Sequence, residues 1–207
     1  MNSITFDTGI IGKLRITEEN QAVVRIEFVQ DEEAKGTEAD CSNTIHNERM
    51  NNTSGGDTDA MEEIDYGVTA AADTSEEYAT IWRVNPVLAR ARQQIMEYLE
   101  GEREEFTFPV RMNGTKFQKE VWTALLDIPY AETCSYGDVA RAIGKPKACR
   151  AVGMANNKNP LPIVIPCHRV IGADGRMVGY AAGLDVKAKL QSIERQSVLA
   201  QIFGSGN

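Results

Sequence analysis

The chain has 207 residues, 42% hydrophobic and 25% charged, with 22 Lys and Arg against 30 Asp and Glu for a net charge of −8. That is enough chain for one large domain or two small ones with their own cores. No apolar run approaches the roughly 20 residues that cross a bilayer, and no basic and apolar leader opens the sequence, so neither a membrane partner nor export is expected.

Ser3–Phe6, Ile10–Thr17 and Ala22–Val29 are rich in β-branched residues and separated by Asp7-Thr8-Gly9 and Glu18-Glu19-Asn20, which predicts a three-strand meander. Residues 31–80 then hold 14 acidic and 2 basic side chains around Asn51-Asn52-Thr53-Ser54-Gly55-Gly56. Such a stretch buries too little to offset its ordering entropy, and it reads as a long acidic, partly disordered insertion. Cys41 and His46 inside it are too few for a metal site. At Asn85-Pro86 order returns, with Pro suited to a first helical position and Leu88, Ala91, Ile95, Met96 and Leu99 on one face of a helix to about Gly101. Phe106-Thr107-Phe108 looks like a short strand, and Pro109 to Gly114 a linker. Two domains follow, 1–108 and 109–207.

Charge divides at the same place. Residues 109–207 carry 13 Lys and Arg against 7 Asp and Glu, a net of +6, which leaves −14 for residues 1–108. A basic half can meet a polyanion while the acidic half stays in solvent.

The second half begins as helix. Thr115 to Leu126 sets Phe117, Val121, Trp122, Leu125 and Leu126 on one face until Ile128-Pro129 ends it. Ser135-Tyr136-Gly137-Asp138 has the form of a helix cap opening a short helix through Val139, Ala140 and Ile143. Gly144-Lys145-Pro146 breaks that helix, and a third runs from Lys147 to about Asn156. The pair is a helix-turn-helix candidate, a weak signal taken alone. From Leu184 to Gln196 the chain is again amphipathic.

Between these helices lies Asn159-Pro160-Leu161-Pro162-Ile163-Val164-Ile165-Pro166-Cys167-His168-Arg169-Val170. Three prolines remove three backbone donors and predict a stiff, extended apolar track ending in a cysteine and a histidine. A lone Cys-His pair is more often an inert buried thiol beside a core histidine. If it is reactive, the imidazole makes the thiolate accessible at neutral pH. Adjacent side chains of an extended segment point to opposite faces, so a bridging water, or a turn, would be needed between them. The imidazole needs an orienting carboxylate, for which Glu194 is the candidate. The four cysteines, at 41, 134, 149 and 167, include no CxxC pair, so no disulfide framework, metal or cofactor is expected and a reducing compartment fits.

Ile165-Pro166-Cys167-His168-Arg169-Val170, with Ser135-Tyr136-Gly137, Arg150-Ala151-Val152-Gly153 and Asn159-Pro160 before it and Gly172-Ala173-Asp174-Gly175 and Gly179-Tyr180 after it, closely resembles the 6-O-alkylguanine-DNA alkyltransferase family. The likeness is strong from about Thr115 to Arg195. It implies an α/β (α+β) protein: a ribonuclease-H-like meander-plus-helix domain, then a mainly helical, winged-helix-like domain with a helix-turn-helix. The implied activity is direct repair, moving a methyl or larger alkyl group from the 6-oxygen of guanine, and also from 4-O-methylthymine, to Cys167 in one suicide turnover.

By that resemblance His168 and Glu194 activate Cys167 through a water, and Tyr136 neutralises the leaving oxygen. Arg150 fills the gap left by the flipped base, with Ala151 and Gly153 permitting close approach in the minor groove and Lys145, Lys147 and Lys158 near phosphates. Asn159 is the hinge, and Val170 and Tyr180 line the base pocket. Ala181 and Ala182 depart from the family's bulkier or hydroxylated residues and leave the accepted alkyl size open. A monomer acting on double-stranded DNA is implied, in the cytoplasm with the nucleoid, or in the nucleus of a eukaryote. A non-catalytic sensor of alkylated DNA and a cysteine hydrolase are the competing readings.

Overall fold

A computed structural model describes residues 1–29 and 85–204; the acidic insertion, with Cys41 and His46, lies outside the described residues. β1 (Asn2–Asp7), β2 (Lys13–Glu19) and β3 (Ala22–Val29) form an antiparallel sheet in the order β1-β2-β3. Alternation puts Ile4, Phe6, Leu14, Ile16 and Ile26 in the core, and a register shift at Thr17/Glu18 accommodates the tight turn into β3.

Helix α1 (Pro86–Leu99) covers the sheet with Leu88, Ala91 and Ile95. Asn85 caps it by accepting from Leu88 N, Pro86 occupies the first turn, and Gly101 at φ +79° lets the chain leave. Tyr98, which the helical pattern does not single out, is completely buried. Phe106–Phe108 is not a strand: Gln94 of α1 takes both Thr107 groups, with Thr107 N donating to its Oε1 and its Nε2 donating to Thr107 Oγ1, so the backbone is held by a side chain instead of a ladder. The free edge of β3 is closed by the chain beyond, with Val23 N donating to Pro109 O, Arg111 N to Val23 O and Ile26 N to Pro160 O, each at 2.9 Å.

α2 (Lys116–Leu126) starts at a capping box between Thr115 and Gln118 and buries Val121, Trp122 and Leu125. β4 (Cys134–Ser135) leads into α3 (Tyr136–Ala142), capped by the reciprocal Ser135–Asp138 box. After a turn with Gly144 at φ +70°, α4 (Cys149–Asn157) packs on α2 and α3. Trp122 Nε1 donates to Ala155 O at 2.9 Å and pins α4 to α2. β4 pairs in parallel with β5 (Val170–Ile171), and α5 (Leu184–Gly204) closes the molecule, running past the Gln196 end that its apolar pattern suggests.

The cysteine segment corrects the expectation of an extended track. Ile165 N donates back to Leu161 O, Ile163 sits at φ +75°, and Cys167–Arg169 is a turn of 3-10 helix. Prolines exclude α-helix and ladder without requiring an extended chain, and here local turns satisfy the remaining donors. The left-handed conformation at a β-branched residue is strained and is held by complete burial of the Ile163 side chain.

Candidate functional site

Cys167 lines a cavity of about 540 Å³ together with Asn156, Asn159, Pro162 and Tyr180 and with Phe28 of β3. Asn159 is the organiser of the thiol. Its Nδ2 donates to Cys167 Sγ at 3.1 Å and to Ile165 O at 2.8 Å, while its Oδ1 accepts from Leu161 N at 3.0 Å. Burial pushes the Cys167 thiol up to about 11, against the Asn159 donor and the charge of Lys187, which favour the thiolate. The resting group is therefore a thiol, and a thiolate at neutral pH requires a base to take its proton.

The 3-10 turn puts His168 in a different direction from the one an extended chain would give it, since residues in such a turn are about 120° apart. The ring is completely buried. Its Nε2 meets Glu194 Oε1 at 2.8 Å, which places the ring proton on Nε2. Nδ1 is then a lone-pair acceptor, and it is buried without a hydrogen-bond partner among the described residues. Burial lowers the His168 pKa below its ordinary 6.5 although Glu194 pulls the other way, so the ring is neutral at pH 7.

Glu194 is the most heavily bonded group in the site. Oε1 accepts from Tyr98 OH at 2.6 Å and Arg169 Nη2 at 2.8 Å, besides His168; Oε2 accepts from Ala131 N at 3.1 Å and Arg169 Nε at 3.2 Å. Burial would raise its pKa, but the His168 and Arg169 donors and charges hold it at about 2. Ala131 adopts φ +62° to aim its N–H at the carboxylate, and Arg169 Nη1 also donates to Ile128 O at 2.7 Å. A carboxylate satisfied on both oxygens stays ionised at full burial and holds the imidazole in one tautomer.

Tyr136 stands half-buried at the start of α3, with its OH donating to Val178 O at 3.0 Å; burial and the nearby Cys167 charge raise its pKa, so it is a protonated donor. The buried Lys187 ammonium anchors the same loop, donating to Val170 O at 2.6 Å and Val178 O at 3.1 Å. Gly153 of α4 faces the Tyr136 ring, where an added Cβ would lie 3.8 Å from ring carbons. Tyr180 packs edge-on to Phe28, with ring centroids 6.1 Å apart, and its buried hydroxyl lies beside Cys167. Val170 is completely buried in β5 and does not line the cavity.

Arg150 and Ala151 are exposed in the first turn of α4, and Lys147 precedes it. Lys145 is engaged by a salt bridge to Glu120 and stands over the Phe117 ring at 5.1 Å. Thus Cys167, His168, Glu194, Asn159, Tyr180 and Tyr136 converge, while Lys147, Arg150 and Ala151 form a separate exposed edge. Sequence reasoning assigns no role to Tyr98, Arg169 or Lys187: an apolar helix face hides Tyr98, Arg169 stands in the Cys-His-Arg run with nothing nearby to define its partner, and a single lysine in a basic half is unremarkable. Among the described residues no group of three or more His, Cys, Asp or Glu could hold a metal, and no helix is long and apolar enough to cross a membrane.

Two sequence models of one family match the chain: "6-O-methylguanine DNA methyltransferase, ribonuclease-like domain" over residues 4–112 and "6-O-methylguanine DNA methyltransferase, DNA binding domain" over residues 116–196. A methylated-DNA–protein-cysteine methyltransferase of Methanosarcina acetivorans is 54% identical over 104 residues, 50% of this chain and 67% of the relative. The constitutive enzyme of the same description from Bacillus subtilis is 54% identical over 113 residues, 54% of this chain and 68% of the relative. The crystal structure of Mycobacterium tuberculosis OGT in complex with DNA superposes with a TM-score of 0.65 at 30% identity, covering 94% of this chain and 93% of that one.

Proposed function

The chain belongs to the 6-O-methylguanine DNA methyltransferase family, and from that premise we propose that it repairs 6-O-alkylguanine in DNA directly, moving the alkyl group onto its own Cys167 in a single turnover. It is a methylated-DNA–protein-cysteine methyltransferase that binds damaged DNA. The observation that carries the acceptor assignment is the thiol held by Asn159 in the lining of a cavity, one residue from a buried imidazole whose Nε2 proton is pinned by Glu194 and whose Nδ1 is open.

The chemistry follows from those atoms. His168 Nδ1 takes the thiol proton, relayed by one water, and Glu194 stabilises the imidazolium. Sγ attacks the alkyl carbon in line, the carbon–oxygen bond breaks, and the electron pair stays on the guanine 6-oxygen. Tyr136, released from Val178 O, gives its proton to the purine as that charge develops. The product is a thioether with no carbonyl for water to attack, so the protein is consumed. The same displacement serves 4-O-methylthymine.

The target oxygen lies inside the duplex, so the nucleotide turns out of the stack into the cavity, at a cost lower for a badly paired base. Arg150 fills the gap from the minor groove, with the small Ala151 and Gly153 allowing close approach and Lys147 at a phosphate. Residues 109–207 form the domain that holds the base, and residues 1–108 form the domain that covers it. The protein works as a monomer in the compartment that holds the DNA, the cytoplasm with the nucleoid, or a nucleus.

The test uses duplex DNA carrying radiolabelled 6-O-methylguanine. Label is expected on Cys167, to at most one equivalent, and none on Cys167→Ala. Multiple turnovers, or label retained by the variant, sinks the suicide mechanism or its acceptor.

A further inference from the structure

Helix α1 belongs to the sheet-bearing half of the chain, yet its last turn reaches the machinery around Cys167. Tyr98 OH donates to Glu194 Oε1 at 2.6 Å and lies 3.2 Å from His168 Nε2. The hydroxyl hydrogen goes to the carboxylate, so the oxygen lone pairs face the ring, where they can only accept the Nε2 proton. Two acceptors, Glu194 Oε1 and Tyr98 OH, therefore converge on one side of the imidazole, and among the described residues no acceptor faces Nδ1. The ring of Tyr98 cannot turn away, being completely buried and packed at 5.4 Å against Phe106 and 6.1 Å against Tyr130. One helical turn further along α5, Ser197 Oγ donates to Gly101 O at 2.7 Å, so the end of α1 and the middle of α5 are tied at two successive points.

We propose that Tyr98 is a positioning residue for alkyl transfer: it fixes the His168 proton on Nε2 through its bonds to Glu194 and the ring, and thereby makes the acceptor chemistry dependent on the first half of the chain. It touches neither the thiol nor the purine. Its oxygen shares the load of the Glu194 charge and adds a second acceptor on the Nε2 side of the ring, so the basic lone pair is left on Nδ1. Nothing in an apolar helical face distinguishes this tyrosine from an ordinary core aromatic; only the position of α5 gives its hydroxyl a purpose. The inference rests on the reading of His168 as the base for Cys167.

Tyr98→Phe keeps the ring and removes only the oxygen. Its single-turnover rate on duplex DNA bearing 6-O-methylguanine is expected to fall about tenfold, the effect of losing one hydrogen bond to a charged group, with DNA affinity unchanged. The charged and titratable groups that face His168 are Glu194 and Lys187 from α5, Arg169 from its own turn, Tyr98 from α1 and the neighbouring thiol. With one donor fewer, Glu194 attracts the imidazolium more strongly, so the acid limb of the rate profile moves to higher pH. Nitrogen-15 NMR of His168 is expected to show Nε2–H in the wild type and in Tyr98→Phe, where Glu194 remains, with the Nε2–H resonance shifted in the variant by loss of the second acceptor.

Ser197→Ala cuts the other tie between α1 and α5 without touching Glu194, and is expected to keep the wild-type rate. In a Glu194→Gln background, Tyr98→Phe adds little further loss because it acts through the carboxylate. A Tyr98→Phe protein with wild-type rate and pH profile overturns the inference, as do equal losses in Ser197→Ala. A wild-type His168 carrying its proton on Nδ1 overturns it without any variant. If His168→Ala and Glu194→Gln themselves transfer at the wild-type rate, it is the base assignment that fails.

Discussion

At the scale of single residues the site turns on the protons around a neutral imidazole. In the proposed mechanism His168 must be unprotonated to take the Cys167 proton, and burial holds its pKa below 6.5. The transfer rate is therefore expected to be flat through neutral pH, with its acid limb below 6.5, as a pH series of single-turnover rates would show. Glu194 sets acid stability. Its folded pKa, about 2, is depressed from 4.5, so its contribution is full above pH 4.5 and is lost as pH falls through about 2. That contribution is about 3 kcal/mol. His168 adds a loss of the same sign beginning near pH 6.5, because the unfolded chain takes that proton first. Denaturant melts from pH 7 to pH 2 should decline in this order, and a pH-independent midpoint would contradict both assignments. Cys167, His168 and Asn159 are legible in the sequence because they sit in one short proline-punctuated run. The roles of Tyr98, and of Arg169 although it stands in the same run, are not, since they are made by a carboxylate 96 and 25 residues away.

At the scale of elements, glycines separate packing from access. An added Cβ at Gly114 would fall 2.5 Å from two ring carbons of the buried Trp122, whose Nε1 holds Ala155 of α4. Gly114→Ala is expected to destabilise by about 1–3 kcal/mol and to loosen α4 with it. At Gly153, in the middle of α4, the same Cβ makes an ordinary 3.8 Å contact with Tyr136. Gly153→Ala is expected to raise stability by about 0.5–1 kcal/mol while weakening affinity for duplex DNA. Thermal melts and a binding titration check the pair; equal destabilisation by both would refute it. Capping signals make α2 and α3 readable to within a residue, because Thr115 and Ser135 satisfy their own helix N–H groups locally. The expected Phe106–Phe108 strand and extended cysteine track fail for one reason: Gln94 and the local turns supply hydrogen bonds that no nearby residue pattern announces.

At the scale of the whole molecule, the +6 charge of residues 109–207 against −14 for the remainder orients the protein on a polyanion. Binding to undamaged duplex is expected to weaken with salt, with a log–log slope of about −2 for two phosphate contacts, at Lys147 and Lys158. Lys145 is committed to Glu120 and Phe117, so Lys145→Ala should change that slope less than Lys147→Ala. Arg150→Ala should slow repair of duplex DNA more than reaction with the free modified base. Equal effects of the two lysine changes, or equal losses on both substrates, would remove α4 from the interface.

The sequence by itself determined the meander, the capped helices, the charge division and the Cys-His-Asn cluster, because strand alternation, helix caps and short proline runs are local properties. It also offered Glu194 as the orienting carboxylate, but only the tertiary structure decided that Tyr98 and Arg169 join Glu194 around His168, that the thiol rests protonated, and that α1 reaches the site from the other half of the chain. Those depend on burial and on distances between residues remote in sequence, and a buried charge is defined by everything that packs around it.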